Sequence, residues 1–236
     1  MTTNTHVVRW TIVALAVLTA TVASSCAVGV PVPAPVPGPA PTTSGATVTY
    51  DGAGPDVARI GLIGDSTMAS IRWSGAYAPL RQWNFTYDAE ACRRTITVSC
   101  HGADGYTPAN ALTVMRRLSG QLGSVLVMMV GANDPLARFG EGVDAVVAEA
   151  QAQGITNVIW LTVHGATGAN DVLAQRAQQY GGYLVVADWA GYSDPHPEWT
   201  NADRLHINNA GAAVLSQFIA DHIATVLAAP PAPAGA

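Results

Sequence analysis

Two uninterrupted apolar runs constrain this chain most: residues 124–130 (SVLVMMV) and 158–163 (VIWLTV). A strand with one wet face alternates apolar and polar residues, because successive side chains point to opposite faces. These runs do not alternate. Each therefore reads as a strand covered on both sides, the environment of a parallel sheet between helices. Residues 57–63 (VARIGLI), 85–89 (FTYDA) and 183–187 (YLVVA) supply further strand candidates. Helical patterns lie between them over 108–122, 143–153 and 171–180, and a long one closes the chain over 209–227. Thr107 suits the cap and Pro108 the first position of the 108–122 helix, while Gly154 and Gly181-Gly182 end the next two. Alternating strands and helices with no internal repeat predict an α/β domain built on a parallel sheet. Such sheets bind ligands outside the carboxyl ends of their strands, which directs the search to the loops that follow them.

Composition closes off several functions. All 11 basic residues of the 236 are Arg, the 16 acidic residues leave a formal net charge of -5, and no basic run exceeds two residues. A nucleic-acid binder needs a concentrated positive surface, so no nucleic-acid partner is expected. Phosphate and dinucleotide loops of the types G-x-x-x-x-G-K-[ST] and G-x-G-x-x-G are absent, as is the G-x-S-x-G elbow. No uninterrupted apolar run reaches the length of a membrane-spanning helix in the mature chain.

The first 45 residues read as export and tether. Residues 10–22 (WTIVALAVLTATV) form a 13-residue apolar run, the size of a signal-peptide core, followed by Ala23-Ser24-Ser25-Cys26. That junction resembles the bacterial lipoprotein signal, with Ala23 where the pattern usually has Leu. The resemblance implies that Cys26 is lipidated and becomes the new N-terminus at the outer face of the membrane; cleavage nearby with plain secretion is the alternative. Residues 27–41 carry six prolines at alternate positions. This favours an extended polyproline II stalk, at ~3.1 Å per residue roughly 45 Å long. The expected division is a signal peptide over 1–26, a Pro-rich linker over 27–45, a globular domain over 46–229 and a Pro/Ala-rich tail over 230–236. Outside the cytoplasm Cys92 and Cys100 can pair, closing a nine-residue loop that contributes about 2.6 kcal/mol in the chain-entropy picture. Neither a C-x-x-C nor an H-x-x-x-H spacing accompanies them, so no metal is expected.

Three loops carry the chemistry. Gly64-Asp65-Ser66-Thr67-Met68 follows the first strand and places Ser66 at a helix N-terminus, where its backbone N–H and the helix dipole can face a developing oxyanion. Gly131-Ala132-Asn133-Asp134 follows the clearest strand, and the Asn133 amide can donate to the same charge. Asp203-Arg204-Leu205-His206 precedes the last helix. At a spacing of three, Asp203 can hold one nitrogen of His206 while the other takes a proton from a serine. Taken singly, each loop also reads as a helix cap or an ordinary turn.

In this order, the blocks G-D-S, G-x-N-D and D-x-x-H resemble those of the SGNH (GDSL) hydrolase family, over about residues 57–228. The first block reads GDSTM rather than the longer GDSLT form. The resemblance implies a flavodoxin-like three-layer α/β/α sandwich with a central parallel sheet. It implies Ser66 as nucleophile, His206 as general base and Asp203 as its orienter. The implied oxyanion donors are the Ser66 N–H, the Asn133 side chain and a glycine N–H of the second block, Gly105 or else Gly102. The expected activity is hydrolysis of a carboxylic ester through an acyl-enzyme, with no cofactor. The substrate would be a lipid, a small ester or an acylated glycan. O-acyl transfer or deacetylation on cell-envelope glycans uses the same residues, and a catalytically silent surface module is the reading from another class. His101, His164 and His196 have no Asp three residues ahead of them and are expected at the surface or the rim of the site.

Overall fold

The computed structural model describes residues 42–44, 46–102 and 105–229. The expected signal peptide, Cys26, most of the linker and the tail lie outside them. Seven strands form one sheet: β1 (Thr42–Ser44), β2 (Thr47–Tyr50), β3 (Arg59–Gly64), β4 (Asn84–Ala89), β5 (Val125–Met129), β6 (Asn157–Leu161) and β7 (Leu184–Ala187). Their order is β1-β2-β4-β3-β5-β6-β7. The last five in that order are mutually parallel, whereas β2 pairs antiparallel with β4 and β1 antiparallel with β2. Counting the parallel strands alone, the order is the flavodoxin-like 2-1-3-4-5, whose switch point lies between β3 and β5. The helices are α1 (Ser66–Ser74), α2 (Ala111–Arg117), α3 (Leu136–Ala152), α4 (Thr167–Tyr180), the short α5 (Trp189–Ser193) and α6 (Asn209–Ala228).

Strand β5 explains why its sequence does not alternate. Val125, Val127 and Met129 point into one core with Leu62, Phe85, Ile159, Leu215 and Ile219, whereas Leu126 and Met128 point into the other with Ile63, Val143, Val147 and Trp160. Helices α1 and α6 cover the first face, and α2, α3 and α4 the second. The result is the expected three-layer sandwich.

Three local features depart from the sequence expectation. The 108–122 helix is only α2: Asn110 caps it through Thr113 N–H at 2.9 Å, while the Thr107 hydroxyl bonds His101 Nδ1 at 2.6 Å. Asn is a strong cap and sits three residues further on, so it sets the start. Helix α3 starts at Leu136, seven residues early, because Pro135 opens it and Gly142 inside it has a packing role: a Cβ there would lie 2.2 Å from Thr95 Oγ1. Residues 42–44, assigned to the linker, pair as β1. Helix α6 has the length expected from the sequence and is, by length and composition, long and apolar enough to cross a membrane. Its buried Leu215, Ile219 and Ile223 pack against the sheet.

Candidate active site

The switch point brings the β3 and β5 loops side by side. The Asp65 N–H donates to the Met129 carbonyl at 3.0 Å, continuing the pairing beyond the strands. At Gly64 only glycine permits the turn into α1, because a Cβ would lie 2.3 Å from the Met68 Cβ. Asp65, fully buried, caps α1 by accepting from the Thr67 N–H at 2.9 Å and the Thr67 hydroxyl at 2.6 Å. Because Asp65 serves as the cap, Ser66 keeps its hydroxyl free. Burial pushes the Asp65 carboxyl up to about 6, against the lowering effect of the two Thr67 hydrogen bonds.

Asp203 and His206 reach Ser66 from a turn ahead of α6. Arg204 adopts a left-handed conformation (φ 59°), which curls the turn so that Asp203 Oδ1 accepts from the Leu205 N–H at 3.0 Å and the His206 N–H at 2.9 Å. The other oxygen, Oδ2, lies 2.6 Å from His206 Nδ1, and His206 Nε2 lies 3.1 Å from Ser66 Oγ, 140 residues away in sequence. The hydrogen bond from His206 and the two backbone N–H groups hold the Asp203 carboxyl down at about 2. Asp203 is therefore charged at any ordinary pH. A carboxylate on Nδ1 favours the tautomer with its proton there, leaving the Nε2 lone pair to face the serine hydroxyl.

Asn133 lies on the β5 loop and is pinned from the β4 loop. Its carbonyl accepts from Arg94 Nε at 2.7 Å, and its amide donates to the Arg93 carbonyl at 3.3 Å and to Asp65 Oδ2 at 3.4 Å. Next to it, Asp134 accepts from the Thr95 N–H and hydroxyl, at 2.9 and 2.5 Å. Burial raises the Asp134 carboxyl above its usual range. The serine and asparagine loops are thus joined through residues 93–95.

The second-block glycines differ from expectation. The Gly105 N–H already donates to the Gly102 carbonyl at 2.9 Å, and the Gly102 N–H donates to the Tyr106 carbonyl at 2.9 Å. Both N–H groups are therefore engaged within this loop, where Gly105 is exposed and Gly102 half-buried. Another residue of the β4 loop has an unusual backbone. Cys92 stands in the left-handed region (φ 70°), uncommon for a residue with a Cβ. Its N–H has no acceptor among the described residues. A disulfide to Cys100, with the Cα atoms 5.2 Å apart, holds it there, and the Cys100 Sγ lies 4.0 Å from Asn133 Oδ1.

Composition did not single out the support beneath the site. Arg93 is buried and donates to the carbonyls of Gly64 (3.1 Å), Asp88 (2.6 Å) and Ala109 (3.1 Å) and to Asp88 Oδ1 (2.6 Å). Asp88 also accepts from Arg117 at 2.8 Å and from the Thr47 hydroxyl at 2.6 Å. The only sequence signal was an Arg pair just after a strand ending in Asp88-Ala89. Outside the site, His164 meets Asp194 at 3.0 Å and His196 stacks on Trp199. Among the described residues, no group of three or more His, Cys, Asp or Glu side chains is arranged to hold a metal.

No family model matches the chain, and no curated protein matches it in sequence. Its fold does have solved relatives. A proposed SGNH hydrolase from Slackia heliotrinireducens superposes with a TM-score of 0.54 at 16% identity, covering 71% of this chain and 100% of that one. The family 3 carbohydrate esterase of Clostridium thermocellum gives 0.54 at 13% identity, over 72% of this chain and 98% of its own. A proposed GDSL-like lipase from Bacteroides ovatus gives 0.55 at 13% identity, over 72% of this chain and 53% of its own. Taken with the strand order and the switch-point loops, these likenesses show that the chain is built on the SGNH (GDSL) hydrolase fold.

Proposed function

We propose that this protein is a serine esterase that hydrolyses a carboxylic ester through an acyl-enzyme. The observation that carries the reading is the continuous line from Asp203 Oδ2 through His206 to Ser66 Oγ, with contacts of 2.6 and 3.1 Å. In the first half-reaction Ser66 Oγ bonds to the ester carbonyl carbon as its proton passes to His206 Nε2. The tetrahedral oxyanion rests on the Ser66 N–H and on the Asn133 amide, which gives up one of its long contacts (3.3 Å to Arg93, 3.4 Å to Asp65) to receive it, with the Cys92 N–H as the donor from the β4 loop. Collapse breaks the bond to the alcohol oxygen, which leaves with the proton from His206. Water then attacks the acyl-Ser66, giving its proton to His206. The acid departs and the serine is restored. Asp203 orients the imidazole and stabilises its charged form throughout.

The likeness to a carbohydrate esterase supports ester chemistry and admits a glycan as the alcohol half. Transfer of the acyl group to a sugar hydroxyl instead of water would use the same steps, and product analysis with a sugar acceptor present separates the two. Labelling with a fluorophosphonate probe, together with hydrolysis of 4-nitrophenyl acetate, tests the proposal. Wild-type protein should be labelled at Ser66 and should turn over the ester, and Ser66→Ala should lose both. Wild-type protein that is neither labelled nor active would leave the silent-module reading in its place.

A further inference from the structure

His206 also borders a cavity of about 610 Å³, formed with Trp73, Asn201, Ile207, Asn208 and Asn209. A volume of this size suits a small ligand. Trp73 is 58% exposed, which leaves a large aromatic face unpacked. It follows Ser66 by seven residues on α1, close to two full turns. Both side chains therefore lie on one face of the helix, about 10 Å apart along its axis. Helical side chains lean toward the N-terminus, the end of α1 that carries Ser66. Asn208 is committed to the frame through the Glu198 and Thr200 carbonyls. The side-chain amides of Asn201 and Asn209 have no hydrogen-bond partner among the described residues.

We propose that this cavity receives the alcohol half of the ester and that this half is a pyranose, so that the substrate is an acylated sugar. The inference rests on the esterase reading above. The leaving oxygen must take its proton from His206, so the alcohol departs on the His206 side of the site, where the cavity lies. An alkyl alcohol would desolvate the Asn201 and Asn209 amides without pairing them, which is unfavourable. A pyranose offers both kinds of contact: an apolar C–H face for the Trp73 indole and hydroxyls for the two amides.

The test compares two acetates with the same acyl group, methyl 6-O-acetyl-glucopyranoside and octyl acetate, with 4-nitrophenyl acetate reporting whether the esterase is active at all. Wild-type kcat/KM should favour the sugar ester over octyl acetate. Trp73→Ala should lower that ratio at least tenfold, mainly through KM for the sugar ester, and Trp73→Phe should restore most of it. Asn209→Ala and Asn201→Ala should each lower it severalfold. A preference for octyl acetate, or a ratio that survives Trp73→Ala, overturns the subsite while leaving the esterase standing. Turnover of none of the three esters counts against the esterase instead. Calorimetry on Ser66→Ala then decides the subsite without catalysis. Millimolar or tighter binding of the acetylated glucoside that is lost when Trp73→Ala is added supports it, and no binding, or binding indifferent to Trp73, overturns it.

Discussion

The Arg93 guanidinium donates to the Gly64 carbonyl at 3.1 Å, two residues before the serine that faces His206. One buried cation thus ties the end of β3 to the β4 loop and to Asp88. Arg93→Ala would leave Asp88 with only the exposed Arg117 as a charged partner and would take a donor from three carbonyls, of which Gly64 keeps the Glu90 N–H at 3.2 Å. Breaking a buried pair in this way costs about 3–5 kcal/mol, and urea unfolding should show a loss of that order. Arg93→Lys should recover little, since an ammonium lacks the planar fork that serves four acceptors at once. Unchanged stability in Arg93→Ala would mean that the network is dispensable.

Asp65 makes stability depend on pH in a stated direction. Its carboxyl titrates at about 6 when folded and near 3.8 otherwise. Between those values the folded state binds more protons than the unfolded state, so this group's contribution falls as pH rises and levels off above about 6. A shift of about two units corresponds to roughly 3 kcal/mol. Asp65→Asn keeps an acceptor for Thr67 and removes the charge. Its stability relative to wild type should therefore climb between pH 4 and pH 7 by up to that amount. Parallel urea-unfolding curves for the two proteins across this range would contradict the assignment.

The disulfide and the left-handed backbone at Cys92 can be separated by mutation. Cys92→Ala/Cys100→Ala and Cys92→Gly/Cys100→Ala both remove the cross-link, and each should lose up to about 2.6 kcal/mol. Only the glycine variant adopts φ 70° freely. If the Cys92 N–H is an oxyanion donor, the alanine variant should lose about 5- to 30-fold in kcat, the factor that corresponds to the ~1–2 kcal/mol the left-handed region costs an L-residue. The glycine variant should recover most of it. Equal kcat in the two would remove Cys92 from the oxyanion hole.

How much of this was legible in the sequence depends on the range of the interaction. Residues 124–130 announced a doubly covered strand, because burial on both faces suppresses alternation within the segment itself. Asp203 and His206 were legible as a pair because a three-residue turn joins them, and Ser66 because a strand, Gly-Asp-Ser and a helix are consecutive. Strands β1 and β2 were not, since TTS and TVTY are short and half polar, and only pairing with β4 makes them strands. Gly105 was expected as a donor from the resemblance to the family's second block. That its N–H is taken by Gly102, and that Cys92 holds a left-handed backbone, follow from a loop fold that a linear pattern does not encode.

Membrane attachment through Cys26 remains our proposal for the residues ahead of the domain, resting on the Ala23-Ser24-Ser25-Cys26 junction and the proline-rich segment behind it. Mass spectrometry of the mature protein should find Cys26 as a di- or triacylated N-terminus, and Cys26→Ala should release the protein from membranes. An unmodified N-terminus at another residue would leave simple secretion.

The catalytic assignment predicts a graded series. Ser66→Ala should lower turnover by several decades, on the order of 10⁶ as for a triad serine, and His206→Ala should match it. The double variant should be no worse than either, because nucleophile and base act as a unit. Asn133→Ala removes one oxyanion donor and should cost roughly 10²–10³. Asp203 belongs between these, at roughly 10⁴, since it orients the base without exchanging a proton. Two substitutions there separate its duties. Asp203→Asn keeps an acceptor for the Leu205 and His206 N–H groups, so it should preserve the turn and lose rate through the wrong imidazole tautomer. Asp203→Ala loses both and should also lower the melting temperature. Hydrolysis of 4-nitrophenyl acetate that persists undiminished in Ser66→Ala, in preparations free of other esterases, would put the chemistry elsewhere in the molecule.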